Sequence, residues 1–158
     1  MCIRFQQMEK TTIKEDFGGK AIIDFNNNPM FAEIAIVNML IKSGWEARWI
    51  ETYGRPKNNP KILSSWDFNK KYKDQTEDPI KDKITLRHLS KISKLNNNSY
   101  SGCWDVIGWK GKKILFLESK KRNEDNIRET QKKWLICGLK SGLSINNFII
   151  VEWQFSKK

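Results

Sequence analysis

Two apolar runs near the C-terminus, Cys103–Trp109 and Lys113–Glu118, are separated only by Lys110-Gly111-Lys112. This pattern predicts a β-hairpin. Gly111 and Lys112 suit a two-residue turn, with glycine at the first position as a type II′ turn requires. The register then pairs residues whose numbers sum to 223, which sets Asp105 opposite Glu118. Side chains alternate along a strand. Asp105, Ile107 and Trp109 therefore share a face with Ile114, Phe116, Glu118 and Lys120, while Val106, Leu115 and Leu117 point the other way. Both faces are apolar, as in central strands covered by helices on each side. At the end away from the turn, one face becomes ionic, with two carboxylates and a lysine within cross-strand reach.

The rest of the chain supplies the covering elements. Ala21–Phe25 reads as a short strand, followed by a turn through Asn26–Asn28. Pro29 suits the first position of a helix capped by Asn28. The run Met30–Lys42 is apolar almost all round and predicts a helix buried on more than one side, stopped by Ser43-Gly44. Trp45–Tyr53 reads as a strand. Within Lys83–Leu95, the residues Leu86, Leu89, Ile92 and Leu95 recur every third position and predict an amphipathic helix. Asn126–Ser141 predicts another helix, with Ile127, Gln131, Trp134, Leu135, Gly138 and Leu139 on one face and Gly142 after its end. Asn147–Phe155 is a last strand. The expected architecture is α/β: a mixed central sheet flanked by helices, in a single domain over 1–158 with an insertion or small subdomain at about 55–99.

Charge narrows the partners. The chain of 158 residues carries +11, from 29 basic and 18 acidic side chains. Residues 55–99 sum to +6 and 112–133 to +4, while 100–111, the start of the hairpin, is neutral. A basic frame suits a polyanion. Of the basic residues 23 are lysine, and the abundance of Lys, Asn and Ile fits an AT-biased coding sequence as well. No apolar run is long enough to cross a membrane, and none at the N-terminus suits a signal peptide. The cysteines, Cys2, Cys103 and Cys137, are odd in number and lack CxxC spacing, which fits a reducing, cytoplasmic compartment. With one histidine and no cysteine pair, the metal expected here is a hard ion bound through oxygen.

Two adjacent carboxylates repel each other and are costly to desolvate. At the hairpin end the compensating cation is either Lys120 or a divalent metal. Carboxylates with water and backbone carbonyl suit Mg²⁺, and a lysine beside such an ion suits metal-assisted phosphodiester hydrolysis.

Asp105, twelve residues, then Glu118-Ser119-Lys120 resembles the D…E-x-K core of the PD-(D/E)XK nuclease superfamily. The run from Phe116 to Lys120, a charged loop, Thr130-Gln131-Lys132-Lys133-Trp134-Leu135 and Ser141-Gly142 is similar to the virus-type replication-repair nuclease branch (VRR-NUC). The clear resemblance covers about residues 100–153. It implies a restriction-endonuclease-like fold and a deoxyribonuclease dependent on Mg²⁺ or Mn²⁺. Asp105, Glu118 and the Ser119 carbonyl would be metal ligands. Lys120 would position or activate the attacking water, and Gln131 would support the site from its helix. Glu33 matches the helical glutamate that many members place near the metal, and reads equally as a glutamate at a helix N-terminus. The family often has proline before the aspartate; here Trp104 stands there and should point away from the site.

Lys121, Arg122, Lys132 and Lys133 are candidate nucleic-acid contacts, with a solvated helix face and a Glu129–Lys133 pair as the other reading. Trp66 and Tyr72 either stack on bases or fill a small satellite core. The expected partner is duplex or branched DNA, with a homodimer suited to cutting both strands. The alternative functions are a non-catalytic nucleic-acid-binding module and a nuclease subunit of a larger complex, both on the same fold.

Overall fold

The computed structural model describes residues 2–8, 13, 17–54 and 59–156. The strands are β1 (Cys2–Gln7), β2 (Ile23–Phe25), β3 (Asn28–Met30), β4 (Glu46–Glu51), β5 (Lys61–Leu63), β6 (Val106–Lys110), β7 (Lys113–Lys121) and β8 (Phe148–Phe155). The helices are α1 (Ala32–Lys42), α2 (Lys83–Leu95) and α3 (Glu129–Lys140). All eight strands form one sheet in the order β3-β2-β1-β8-β7-β6-β4-β5. β8 runs parallel to both β1 and β7, and the remaining pairs are antiparallel. The architecture is thus a mixed α/β sheet, as expected. No helix among the described residues is long and apolar enough to cross a membrane.

The hairpin has the expected register. Val106 pairs with Leu117 and Lys110 with Lys113, and Gly111 takes φ +58°, a value glycine adopts freely. The two apolar faces serve two core clusters. Ile107, Trp109, Ile114 and Phe116 pack with Leu89 and Ile92 of α2 and with Trp134 and Cys137 of α3. Val106 and Leu117 pack with Ile34 and Val37 of α1 and with Trp49. Helices therefore cover both faces of the hairpin. The described part of segment 55–99, residues 59–99, shares this framework, since β5 pairs with β4 and α2 contributes to the cluster beneath α3.

Four local expectations need correction. Asn28 and Pro29 do not start α1 but lie in β3, at the sheet edge, where a missing N–H is tolerated. Asn26 and Asn27 make the turn before it, both with positive φ, and Phe31 precedes the helix without a side-chain cap. Of the four apolar residues expected on one face of α2, Leu89 and Ile92 are buried, while Leu86 and Leu95 are exposed. At 100° per residue, nine positions bring them to opposite sides of the helix. α3 begins at Glu129 rather than Asn126, and Leu139 is exposed while Cys137 is buried.

Two glycines permit close approaches that set the position of α3. A Cβ on Gly138 would lie 2.3 Å from the Phe148 ring, so only glycine lets α3 settle on β8. A Cβ on Gly102 would lie 2.0 Å from the Thr130 carbonyl oxygen. Gly102 also takes φ +77°, and it brings the segment leading into Asp105 against the first turn of α3.

Candidate active site

Asp105 stands one residue before β6, and its carbonyl accepts from the Ile50 N–H at 2.7 Å. Its backbone is thus tied to β4 while its side chain reaches β7. Asp105 Oδ2 accepts from the Ser119 N–H at 2.9 Å, and the Asp105 N–H donates to Glu118 Oε2 at 3.3 Å. The Asp105–Glu118 neighbourhood read from the register is therefore present as one backbone bond from Asp105 to the Glu118 carboxylate and one from Ser119, the next residue, to the Asp105 carboxylate.

Glu118 is 1% exposed and Lys120 9%. Lys120 Nζ lies 2.9 Å from Glu118 Oε1 and donates to Gln131 Oε1 at 3.2 Å. Gln131 Nε2 donates to Glu118 Oε1, and Gln131 Oε1 also accepts from the Arg128 N–H at 2.9 Å. Gln131 thus joins the start of α3 to both members of the ion pair. Trp104 is buried in the cluster beneath α3, with Nε1 donating to the Gln131 carbonyl at 3.1 Å. Ser119 accepts from Trp153 Nε1 through its hydroxyl at 3.0 Å, so its side chain is held by β8.

These groups face a cleft of about 950 Å³. Glu33, in the first turn of α1, and Thr130 and Gln131, in the first turn of α3, line it too. Two helix N-termini, each carrying partial positive charge, therefore border a cleft rich in carboxylates. Glu33 is 4% exposed and pairs with Lys20. Its Oε2 is buried without a hydrogen-bond partner among the described residues.

Six carboxylates line the cleft (Glu33, Glu51, Asp105, Glu118, Glu124 and Asp125) against four cations (Lys20, Lys120, Lys121 and Arg128). In a chain of +11 the residues lining this cleft have a formal excess of two negative charges. Burial pushes the Asp105 carboxyl well above its ordinary range, and Glu118 and Glu33 push it further. Burial raises Glu118 too, although Lys120 opposes the shift. Burial would lower Lys20, but Glu33 and Asp105 hold it above its usual value. The cluster is short of positive charge at its centre.

Among the described residues no three His, Cys, Asp or Glu side chains converge into a ready metal cage. The converging pair is Asp105 and Glu118. Two carboxylates, excess negative charge and an unpartnered Glu33 oxygen fit an ion that takes oxygen ligands and keeps several waters.

The candidate phosphate contacts divide. Lys121 lines the cleft, pairs with Glu124 at 2.8 Å and lies over the Trp153 and Phe155 rings. Arg122, Lys132 and Lys133 are exposed and do not line it. The expected Glu129–Lys133 pair is replaced by Glu129–Lys132 at 2.6 Å, one residue closer. Trp66 packs with Phe31, Trp49 and Tyr72 in an aromatic cluster.

Sequence reasoning missed Lys20 and Glu51. Lys20 lies in a short connection without periodicity, and Glu51 ends β4, where the strand pattern does not show that its carboxylate meets the hairpin end. The one signal was Gly18-Gly19 before Lys20, where both glycines take positive φ and carry the chain along the cleft. Comparison with protein-family models, curated proteins and solved structures returns no match.

Proposed function

We propose that this chain is a metal-dependent nuclease that hydrolyses DNA phosphodiester bonds, with a restriction-endonuclease-like core of the PD-(D/E)XK type resembling the VRR-NUC branch. One observation carries the reading: Asp105, Glu118 and Lys120 meet at the end of one hairpin, in a cleft with excess negative charge inside a basic chain.

Asp105 and Glu118 would hold Mg²⁺ or Mn²⁺, with the Ser119 carbonyl as a further oxygen donor and Glu33 at the margin. When bound, such an ion polarises a phosphoryl oxygen and makes a bound water more acidic. Lys120 orients the attacking water and offsets charge developing on the phosphate. Gln131 holds Glu118 and Lys120 in place, so Lys120 presents its ammonium at a set position. Lys121 meets the backbone at the cleft, and Arg122, Lys132 and Lys133 contact phosphates further along.

Cleavage of supercoiled plasmid and of a branched oligonucleotide duplex, with Mg²⁺, Mn²⁺ or chelator, tests the reading. Asp105→Ala and Lys120→Ala should each abolish metal-dependent cleavage. If such cleavage survives both, the site is wrong.

The Lys120–Glu118 ion pair supports a second reading, in which the acidic pair is neutralised internally and the fold binds nucleic acid without catalysis. Calorimetric titration with Mn²⁺ separates the two. DNA binding with no Mn²⁺ uptake that depends on Asp105 favours the binding module. Light scattering with and without DNA would report a homodimer.

A further inference from the structure

The cleft has an aromatic side that the hydrolysis does not use. Phe17 and Tyr53 line it together with Asp105 and Glu118. Tyr53 is 69% exposed, more than any other large apolar side chain described. Its ring is nevertheless braced. Phe17 meets it edge-on at 5.6 Å between centroids and 84° between planes, and Tyr72 meets it at 6.2 Å and 69°. The Tyr72 hydroxyl donates to the Tyr53 carbonyl at 2.9 Å, and the Tyr53 N–H donates to Glu51 Oε1 at 2.8 Å. Phe17 in turn stacks on Tyr72 and packs edge-on against the buried Trp49. Tyr53 is therefore an exposed ring held by the core in a fixed orientation.

A planar base can lie on such a ring at little entropic cost, because the ring is already ordered. In a duplex each base face is occupied by its stacked neighbours. A fixed ring inside a cleft meets a base face only where the strand is unpaired. Lys20, Lys121 and Arg128 line the same cleft, Lys20 paired with Glu33 and Lys121 with Glu124, and supply the cations that a single-strand backbone meets beside a stacking ring. At about 950 Å³ the cleft is at the upper end of the range that takes a small-molecule ligand, which suits one extruded nucleotide.

We infer that Tyr53, braced by Phe17, is a stacking site for an unpaired nucleobase, and that the substrate is single-stranded or locally unpaired DNA. The location of the cut bond rests on the nuclease reading; the stacking itself does not.

The test uses a single-stranded oligodeoxynucleotide containing 2-aminopurine and the same sequence as a blunt duplex. Both are titrated in Mg²⁺ against Asp105→Asn protein, alone and combined with Tyr53→Ala or Tyr53→Phe. Binding of the single strand should quench the fluorescence with Tyr53 or Phe present. Tyr53→Ala should lose the quench and weaken single-strand binding by about 5- to 150-fold, the range that stacking on one aromatic spans. Duplex binding should not change. Single-strand binding that is absent, or equal in the Tyr53→Ala protein, overturns the inference. Plasmid cleavage by the wild-type chain is scored separately. Tyr53-dependent quenching without any cleavage keeps the stacking site and sinks the nuclease. Wild-type cleavage together with single-strand binding that Tyr53→Ala leaves equal does the reverse.

Discussion

Lys120 Nζ lies 2.9 Å from Glu118 Oε1, two residues apart on β7, and both side chains are buried. A buried pair of this kind holds only while both partners remain, because the survivor would be a desolvated, uncompensated charge. Lys120→Ala should therefore destabilise the metal-free protein by about 3 kcal/mol, within the range found for breaking buried pairs. The double variant Lys120→Ala/Glu118→Gln should recover part of the loss. Urea denaturation of the three proteins checks this; equal midpoints for Lys120→Ala and wild type would contradict it.

The pH dependence follows from the raised carboxyls. Burial raises Asp105 well above its ordinary range, aided by Glu118 and Glu33. A carboxyl raised in the folded state favours folding in its protonated form. Its stabilising contribution is complete below the ordinary value of about 4 and is lost as pH rises through the folded value. Metal-free wild type should therefore lose stability relative to Asp105→Asn as pH rises from about 4 toward neutrality. Thermal melts of both proteins in chelator across that window give the difference. A wild type that holds or gains stability relative to Asp105→Asn as pH rises would contradict this sign.

Divalent metal should offset the excess charge. Mg²⁺ or Mn²⁺ should raise the melting temperature of wild type at neutral pH and leave Asp105→Ala nearly unchanged, because ligand binding to the folded state stabilises by mass action. Glu33→Gln should keep most of the shift, since Glu33 stands at the margin of the converging pair. A full shift in Asp105→Ala would place the metal elsewhere.

Gly102 should be intolerant of any side chain. A Cβ there meets the Thr130 carbonyl oxygen at 2.0 Å, in a backbone conformation with φ +77°. Gly102→Ala should displace the start of α3, and Gln131 with it. Gly111→Ala shares the positive φ but meets open space, so it should lose only about 1 kcal/mol. Urea midpoints should fall further for Gly102→Ala, and plasmid cleavage should fail in that variant alone.

The hairpin, its register and the meeting of Asp105 with Glu118 were legible in the sequence. A two-residue turn and a period of two leave one arrangement that buries both apolar faces. Gln131 was visible because it interrupts an apolar helix face. The edge of the sheet was less legible. Asn28-Pro29 carries the local chemistry of a helix start, yet pairing with β2 claimed it for a strand. Lys20 lies in a short connection where no periodicity marks a face, and Glu51 and Tyr53 stand at the end of the Trp45–Tyr53 strand pattern, which does not say what that end meets. Only the packing of the Gly18-Gly19 segment and the end of β4 around the hairpin end brings them to the cleft.

What the sequence determined by itself is therefore the hairpin and its acidic end, because local turn chemistry and side-chain alternation act over a few residues. The tertiary structure decided which distant groups complete that end. Glu33 came with α1, Gln131 with α3, and Lys20 and Tyr53 with two connecting segments. Their convergence depends on how helices pack across a sheet and on close approaches at Gly102 and Gly138. Those are long-range steric facts, and no local pattern along the chain encodes them.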